Sequence, residues 1–366
     1  MLENNTVLVT GVGSHWGARV AARLLTLPDL HVMGLDTAPP REPVKGLDFI
    51  QADIRNPLLT DLFREEGVDC VVHLAFVESD RPSEASFDLN VMGTMKVFGA
   101  AAAAGVPKLV WKSSTMVYGA RPDNSAFLPE ERALVANGET GYIRDLVEVE
   151  AFCNGFRGQN PEISLTVLRF PGIVGPKVDS RMTRWLASPV TPVLMGFDPL
   201  MQVIHEDDVV EALVEAVIHD APGVFNIAAE GTLPLSRLRR LAGKHAPPVF
   251  HLAAYWGNPL LAAMRFPVSR VWPLPLDYLR YSWVADLARM RHNFGFTPRY
   301  TAEEALREFA GRKKVEQIGR EAPALAYDEE RLRDTIERRR RLREPEPTSS
   351  ATEPEIITDD IGEEVA

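Results

Sequence analysis

The chain has little cysteine, no long apolar run and no surplus of positive charge. Its 366 residues include only 2 cysteines, Cys70 in an apolar strand-like run and Cys153 in a predicted helix. That excludes a disulfide framework or a cysteine-built metal cluster, and both thiols read as small buried hydrophobes. No clean stretch of about 18 apolar residues is present, as a membrane-spanning helix would need. The N-terminus enters an apolar strand without a basic and apolar leader, so the expected location is cytoplasmic. Acidic residues outnumber basic ones, 51 to 40, for a formal net charge of -11, so a surface built to grip nucleic acid is not expected.

What remains is the composition of an ordinary globular chain, 45% hydrophobic and 25% charged, long enough for a substantial core and two lobes. The apolar run Thr6-Val7-Leu8-Val9-Thr10 breaks into Gly11-Val12-Gly13-Ser14-His15-Trp16-Gly17, and a helix follows. In a dinucleotide-binding turn the early glycines permit the tight bend and close approach of a pyrophosphate, and the last lets the helix pack on the strand. The helix N-terminus then faces the phosphates. A second apolar run, Val32 to Leu35, ends at Asp36, about 20 residues on, where a ribose-binding carboxylate is expected. That favours NAD, and Arg41 leaves NADP open.

Thr10-Gly11-x-Gly13-Ser14-x-x-Gly17 resembles the TGxxGxxG turn of extended short-chain dehydrogenases/reductases, the NAD-dependent epimerase/dehydratase family, with Ser14 in the place of the middle glycine. The resemblance implies an α/β fold: a Rossmann-type, doubly wound parallel sheet with a smaller C-terminal substrate lobe. It assigns Gly11, Gly13, Ser14, His15, Trp16 and Gly17 to the cofactor turn. In the strand-like segment Asp48 to Ile54, it assigns Asp53 and Ile54 to the adenine. Val68 to Ala75 reads as a buried strand whose Leu74 and Ala75 match the family's strand end, with His73 a packed residue. Asn90-Val91-x-Gly93-Thr94 resembles the family's Asn-x-x-Gly-Thr helix, which makes Asn90 a further cofactor residue. The helix spans about Glu84 to Ala104 and stops at Gly105 and Pro107.

Lys108 to Gly119 resembles the family strand ending in SSxxVYG, and Ser114 takes the place of its catalytic hydroxyl. The proton-transferring tyrosine should open a YxxxK helix, where a spacing of four puts both side chains on one face. Tyr142 is present, but Leu146 stands where the lysine belongs. An unperturbed tyrosine has a pKa near 10, so only about one in a thousand would be phenolate at neutral pH without a nearby cation. Arg144 has the wrong helical offset to help, and the direction of Lys112 is open.

Ile163 to Pro176 resembles the strand and loop leading into the substrate lobe. Arg181 and Arg184 follow in a predicted helix and read as solvated, with a substrate phosphate as the other possibility. His205-Glu206-Asp207-Asp208 matches an HxxD segment, in which Asp207 and Asp208 are expected to cap a helix. Val249 to Pro275 carries Trp256, Met264, Phe266 and Trp272, and reads as a lobe packing on itself, or as a lipophilic lid or membrane-surface contact. The resemblance covers residues 5–312. The expected divisions are 1–175, mainly the NAD-binding domain, and 176–312, mainly the substrate lobe with a crossing back to the sheet. Residues 313–344 read as a charged helical extension and 345–366 as a disordered acidic tail.

The activity that the resemblance implies is hydride transfer from a carbinol to NAD, with Tyr142 as base and Ser114 orienting the oxygen, leading to epimerisation or dehydration. Loss of the lysine leaves catalysis weakened, or leaves a catalytically silent dinucleotide-binding regulator or scaffold. The substrate would be a nucleotide sugar or a lipophilic alcohol, a homodimer stays open, and no metal is expected. An acidic, proline-containing tail buries too little apolar surface to contribute to a core. Truncation after Pro345 is expected to leave the melting temperature unchanged, and a thermal melt of the shortened chain checks this.

Overall fold

Alternate residues of the first strand, β1 (Asn5–Thr10), pack into two different apolar layers, as a strand period of two requires. Leu8 joins Met33, Leu35 and Val71 in one layer, and Val7 and Val9 join Val32 and Val72 in the other. Both faces are therefore buried, which is why these strands are continuous apolar runs and not alternating ones. The computed structural model describes residues 5–78, 83–135, 141–188, 191–244, 248–251, 254–255, 257, 274–321 and 326–341. Two compact units emerge, residues 1–314 and 315–366.

The first unit is built on a seven-stranded parallel sheet. Its members are β1, β2 (Leu30–Asp36), β3 (Asp48–Gln51), β4 (Val68–His73), β5 (Lys108–Ser114), β6 (Ser164–Phe170) and an edge strand, Gly223–Asn226. Their spatial order is edge strand, β6, β5, β4, β1, β2, β3, the doubly wound Rossmann arrangement. The chain winds outward from β1 in one direction and from β4 in the other, so the switch point lies between these two strands, where ligands bind in such sheets.

On one face lie α2 (Leu59–Glu65), α4 (Gly93–Ala104) and α5 (Gly141–Gln159), bringing Phe63, Phe98 and Phe156 to the core; on the other lies α1 (His15–Leu24), bringing Val20 and Leu24. Each such side chain contributes roughly 1.5–3 kcal/mol by burial. The helix before α4 is interrupted. A short α3 (Glu84–Phe87) runs into a π turn at Asp88–Met92 and then into α4, which closes at Gly105 in the left-handed region at φ 80°. Asn90 lies in the π turn.

A parallel ribbon of Gly172–Val174 with Val203–His205 delivers α7 (Glu206–Ile218) to the sheet. Its cap corrects the sequence expectation. The N-cap is His205, whose ring accepts from the Asp207 amide at 3.2 Å, because the strand runs directly into the helix and places Asp207 and Asp208 in its first turn. Asp208 instead accepts from the amides of Arg299 and Tyr300, and Asp207 pairs with Arg19 of α1. Between β6 and α5, Arg169 and Glu150 form a buried ion pair that also takes the Ser113 hydroxyl. Among the described residues no helix is long and apolar enough to cross a membrane and no metal-ligating cluster occurs.

Trp256, Met264, Phe266 and Trp272 lie outside the described residues, as does everything after Arg341. The second unit contains a helix, Ala326–Arg341, whose residues 331–340 are all exposed.

His73 fastens the switch point. Its Nδ1 lies 2.7 Å from the Thr10 hydroxyl and its Nε2 2.9 Å from that of Thr94, which donates to the Asn90 carbonyl. Consistent proton placement then makes Nδ1 the acceptor and Nε2–H the donor. Burial holds its pKa down at about 3, against an ordinary 6.5. Between these values the unfolded chain binds the extra proton, so stability is complete above pH 6.5 and falls as the pH drops toward 3, by about 1.4 kcal/mol per pH unit. Urea unfolding at several pH values is expected to show this slope, and the non-titrating variant His73→Gln is expected to flatten it.

Candidate active site

Two cavities open at the C-terminal edge of the sheet and share Ser14 and Phe76. The first, of 220 Å³, is lined by Gly11, Ser14, Asp36, Asp53, Ile54, Leu74 and Ala75 among others. The second, of 290 Å³, is lined by Ser14, His15, Trp16, Ser114 and Tyr142, with residues of the 170–184 segment opposite.

The turn after β1 shapes the first. Gly11 sits at φ 76°, and a Cβ there would lie 2.7 Å from the Ala75 nitrogen. A Cβ on Gly17 would lie 2.2 Å from the Gly11 carbonyl oxygen, so the helix start packs on the turn only without a side chain. Ser14 caps α1, its Oγ accepting from the Gly17 amide at 3.2 Å. The Gly13 amide donates to Asp36 Oδ2 at 2.9 Å, and the Thr37 amide donates to Oδ1 at 2.7 Å. Asp36 is thereby aimed at the cavity with acceptor capacity to spare.

Asp53 is clasped by Arg55, whose hydrogen bond to it lowers its pKa to about 2, and Arg55 bridges on to Asp88. Asn90 stands behind the cavity. Its amide pairs with both backbone groups of Val77 and donates to Asp145, so it reaches the cleft by fixing Val77, which lines it.

In the second cavity, Ser114 Oγ donates to the Phe170 carbonyl at 3.1 Å and accepts from the Met116 amide at 3.2 Å. The Tyr142 hydroxyl donates to the sulfur of Met116, a weak acceptor that a reacting oxygen would displace readily. Leu146, one turn along α5, is 4% exposed and walls a 30 Å³ pocket together with His73, Lys112 and Ser114. Lys112 and Ser114 share a strand face. The Lys112 ammonium lies 3.6 Å from Glu78 and 5.5 Å from the Trp16 ring centre, which settles the direction that the sequence left open.

Arg181 overturns its expectation. It is 5% exposed, and its guanidinium sits 4.1 Å from the centre of the Tyr142 ring. The cause is α6 (Arg181–Ala187), whose Ser180–Thr183 capping box directs the first residue inward. Arg184 remains at the surface beside Asp179. Sequence reasoning also missed Glu206, which is buried and accepts from His15, Arg19 and the Lys177 amide. Burial pushes its carboxyl up, but these partners win and hold it below the ordinary range. A Cβ on Gly175 would strike the Glu206 side chain at 2.4 Å; this glycine, three residues after Gly172, was the available signal.

A family model described as the NAD dependent epimerase/dehydratase family matches residues 7–228. The chain belongs to this family. An uncharacterized protein of Mycobacterium tuberculosis is 33% identical over 312 residues, 83% of this chain and 82% of that one. Short-chain dehydrogenase/reductase family 42E member 1 of Xenopus laevis is 24% identical over 226 residues, 58% of each chain. Among solved structures, UDP-glucose 4-epimerase of Thermotoga maritima with UDP-glucose superposes with a TM-score of 0.65 at 18% identity, covering 85% of this chain and 99% of that one. UDP-glucuronic acid 4-epimerase of Bacillus cereus, in complex with UDP-glucuronic acid and NAD, gives 0.65 at 19%, with the same coverage. This family member therefore has the epimerase fold.

The turn tolerates no side chain at Gly11, where left-handed backbone and a backbone clash coincide. Gly11→Ala is expected to destabilise the protein by about 3 kcal/mol, the sum of those two costs, as read by urea unfolding.

Proposed function

We propose that this epimerase/dehydratase family member binds NAD and removes hydride from a substrate carbinol, with Tyr142 taking the hydroxyl proton and Ser114 holding the reacting oxygen. The observation that carries the reading is the meeting of Ser114 and Tyr142 in one cavity that joins, through Ser14, the cavity closed by Asp36. The first cavity suits a dinucleotide: positions 11 and 17 exclude a Cβ, the α1 N-terminus faces the opening, and Asp36 offers acceptors for ribose hydroxyls. When bound, NAD supplies the hydride acceptor. Gly11, Ser14, Asp36, Asp53, Ile54, Leu74 and Ala75 would hold it, with His15 and Trp16 at its inner end.

The protein's own part is proton handling. Ser114 turns from the Phe170 carbonyl to donate to the substrate oxygen; Tyr142 gives up its own proton to solvent and leaves Met116, the phenolate then accepts the carbinol proton, and the apolar walls of the filled cavity exclude water. Return of hydride to the other face would give epimerisation, and loss of a neighbouring hydroxyl would give dehydration. A nucleotide sugar is the proposed substrate class, supported by the UDP-sugar and NAD complexes of proteins with this fold and by Arg184 in the cavity wall, which suits a phosphate. The lipophilic alternative rests on a segment mostly outside the described residues. A second reading, a dinucleotide-binding protein without catalysis, is favoured by Leu146, which supplies neither a charge to Tyr142 nor an anchor to a ribose.

Calorimetry is expected to show NAD binding more tightly than NADP, because Asp36 would repel a phosphate on its ribose, and Asp36→Ala is expected to shrink the difference. Equal wild-type affinities would refute the cofactor assignment. With UDP-glucose and UDP-glucuronic acid as probes, NADH absorbance is expected to rise in the wild type and not in Tyr142→Phe. Turnover surviving that substitution would move the proton acceptor elsewhere.

A further inference from the structure

We infer that Arg181 is the cation that serves Tyr142 in place of an ammonium at position 146, which makes it a positioning residue for the proposed reaction. The inference rests on the reading of Tyr142 as proton acceptor. Phenolate forms readily only where a positive charge offsets the new negative one, and Leu146 offers none. Arg181 comes from the opposite wall. Its guanidinium is buried against the phenol ring, 4.1 Å from the ring centre. Because ionisation spreads charge into the ring, a cation on its face stabilises phenolate more than phenol. An arginine is also charged at every working pH, so this support does not titrate away where a lysine's could.

The other charged groups of the cavity are differently placed. Lys112 of β5 lies between Glu78 and Trp16. Arg144, on α5 itself, is half exposed, pairs with Asp145 and lies over Phe87. His15 of α1 faces Glu206, and Arg184 faces Asp179. Tyr278, from the turn Leu276–Leu279, donates to the Met116 carbonyl; burial raises its pKa well above the ordinary value, so it stays neutral. The charge on Tyr142 is thus supplied by the wall that faces the substrate, not by the helix that carries the tyrosine.

The test needs neither cofactor nor substrate. Alkaline titration of phenolate absorbance in the full-length protein, with the Tyr142→Phe curve subtracted to remove the other tyrosines, reports Tyr142 alone. Arg181→Gln is expected to raise its midpoint by about one pH unit, which is about tenfold less phenolate at a fixed pH. Arg181→Lys is expected to keep most of the effect, and Leu146→Lys added to Arg181→Gln to recover it. Arg181→Met, whose straight chain fills the same volume, is measured alongside in case the glutamine variant does not fold. Lys112→Met is expected to leave the midpoint in place. Unchanged midpoints in both neutral variants, or a larger shift in Lys112→Met, would overturn the inference. A chain that bound no NAD would still report on Arg181, so failure of the cofactor assignment and failure of this inference are separable.

Discussion

The end of β1 comes within van der Waals range of the end of β4, and the cleft depends on that approach. Two parallel strands meet there because residue 11 carries no side chain and because His73 of β4 bonds the Thr10 hydroxyl of β1 across the gap, its other ring nitrogen being held by Thr94 of α4. The approach places Leu74 and Ala75 against the glycine turn, and Asn90 then holds the segment as far as Val77. A wider gap would lose both the floor of the first cavity and the alignment of β5, which pairs with β4 along its other edge.

Buried ion pairs hold the second cavity. Arg169 and Glu150 fix Ser113, the neighbour of Ser114, between β6 and α5. Glu206 ties α1 to the loop before α6 through His15, Arg19 and the Lys177 amide. Such pairs give modest net stability, since desolvation offsets much of the attraction, but breaking one side is costly. Here they link elements far apart in sequence, so the tyrosine wall and the arginine wall share one rigid frame.

The sheet was legible in the sequence because buried parallel strands are uninterrupted apolar runs and because chemistry collects at their C-terminal ends. The strands at Val7, Val32 and Val71 followed from the apolar runs, Asp36 from its spacing to the glycine turn, and Leu74 and Ser114 from the family resemblance of their segments. Arg181 and Glu206 were not legible, since a charged residue in an amphipathic helix reads as solvated unless its buried partner is known. Those partners, Tyr142 and His15, are 39 and 191 residues away. The helix cap at His205 was missed because local preference favours Asp, while the register of a three-residue strand decided the start of the helix.

The π turn at Asp88–Met92 sets the phase of the helix that holds Val77. A regular α-helix of the same sequence length would turn Asn90 by a different angle relative to the alanine-rich stretch behind it. The wide turn lets Asn90 face Val77 while Val97 and Phe98 still face the core. The segment therefore behaves as a spacer whose length is quantised in single residues: one residue more or fewer would satisfy either the loop or the core, and not both.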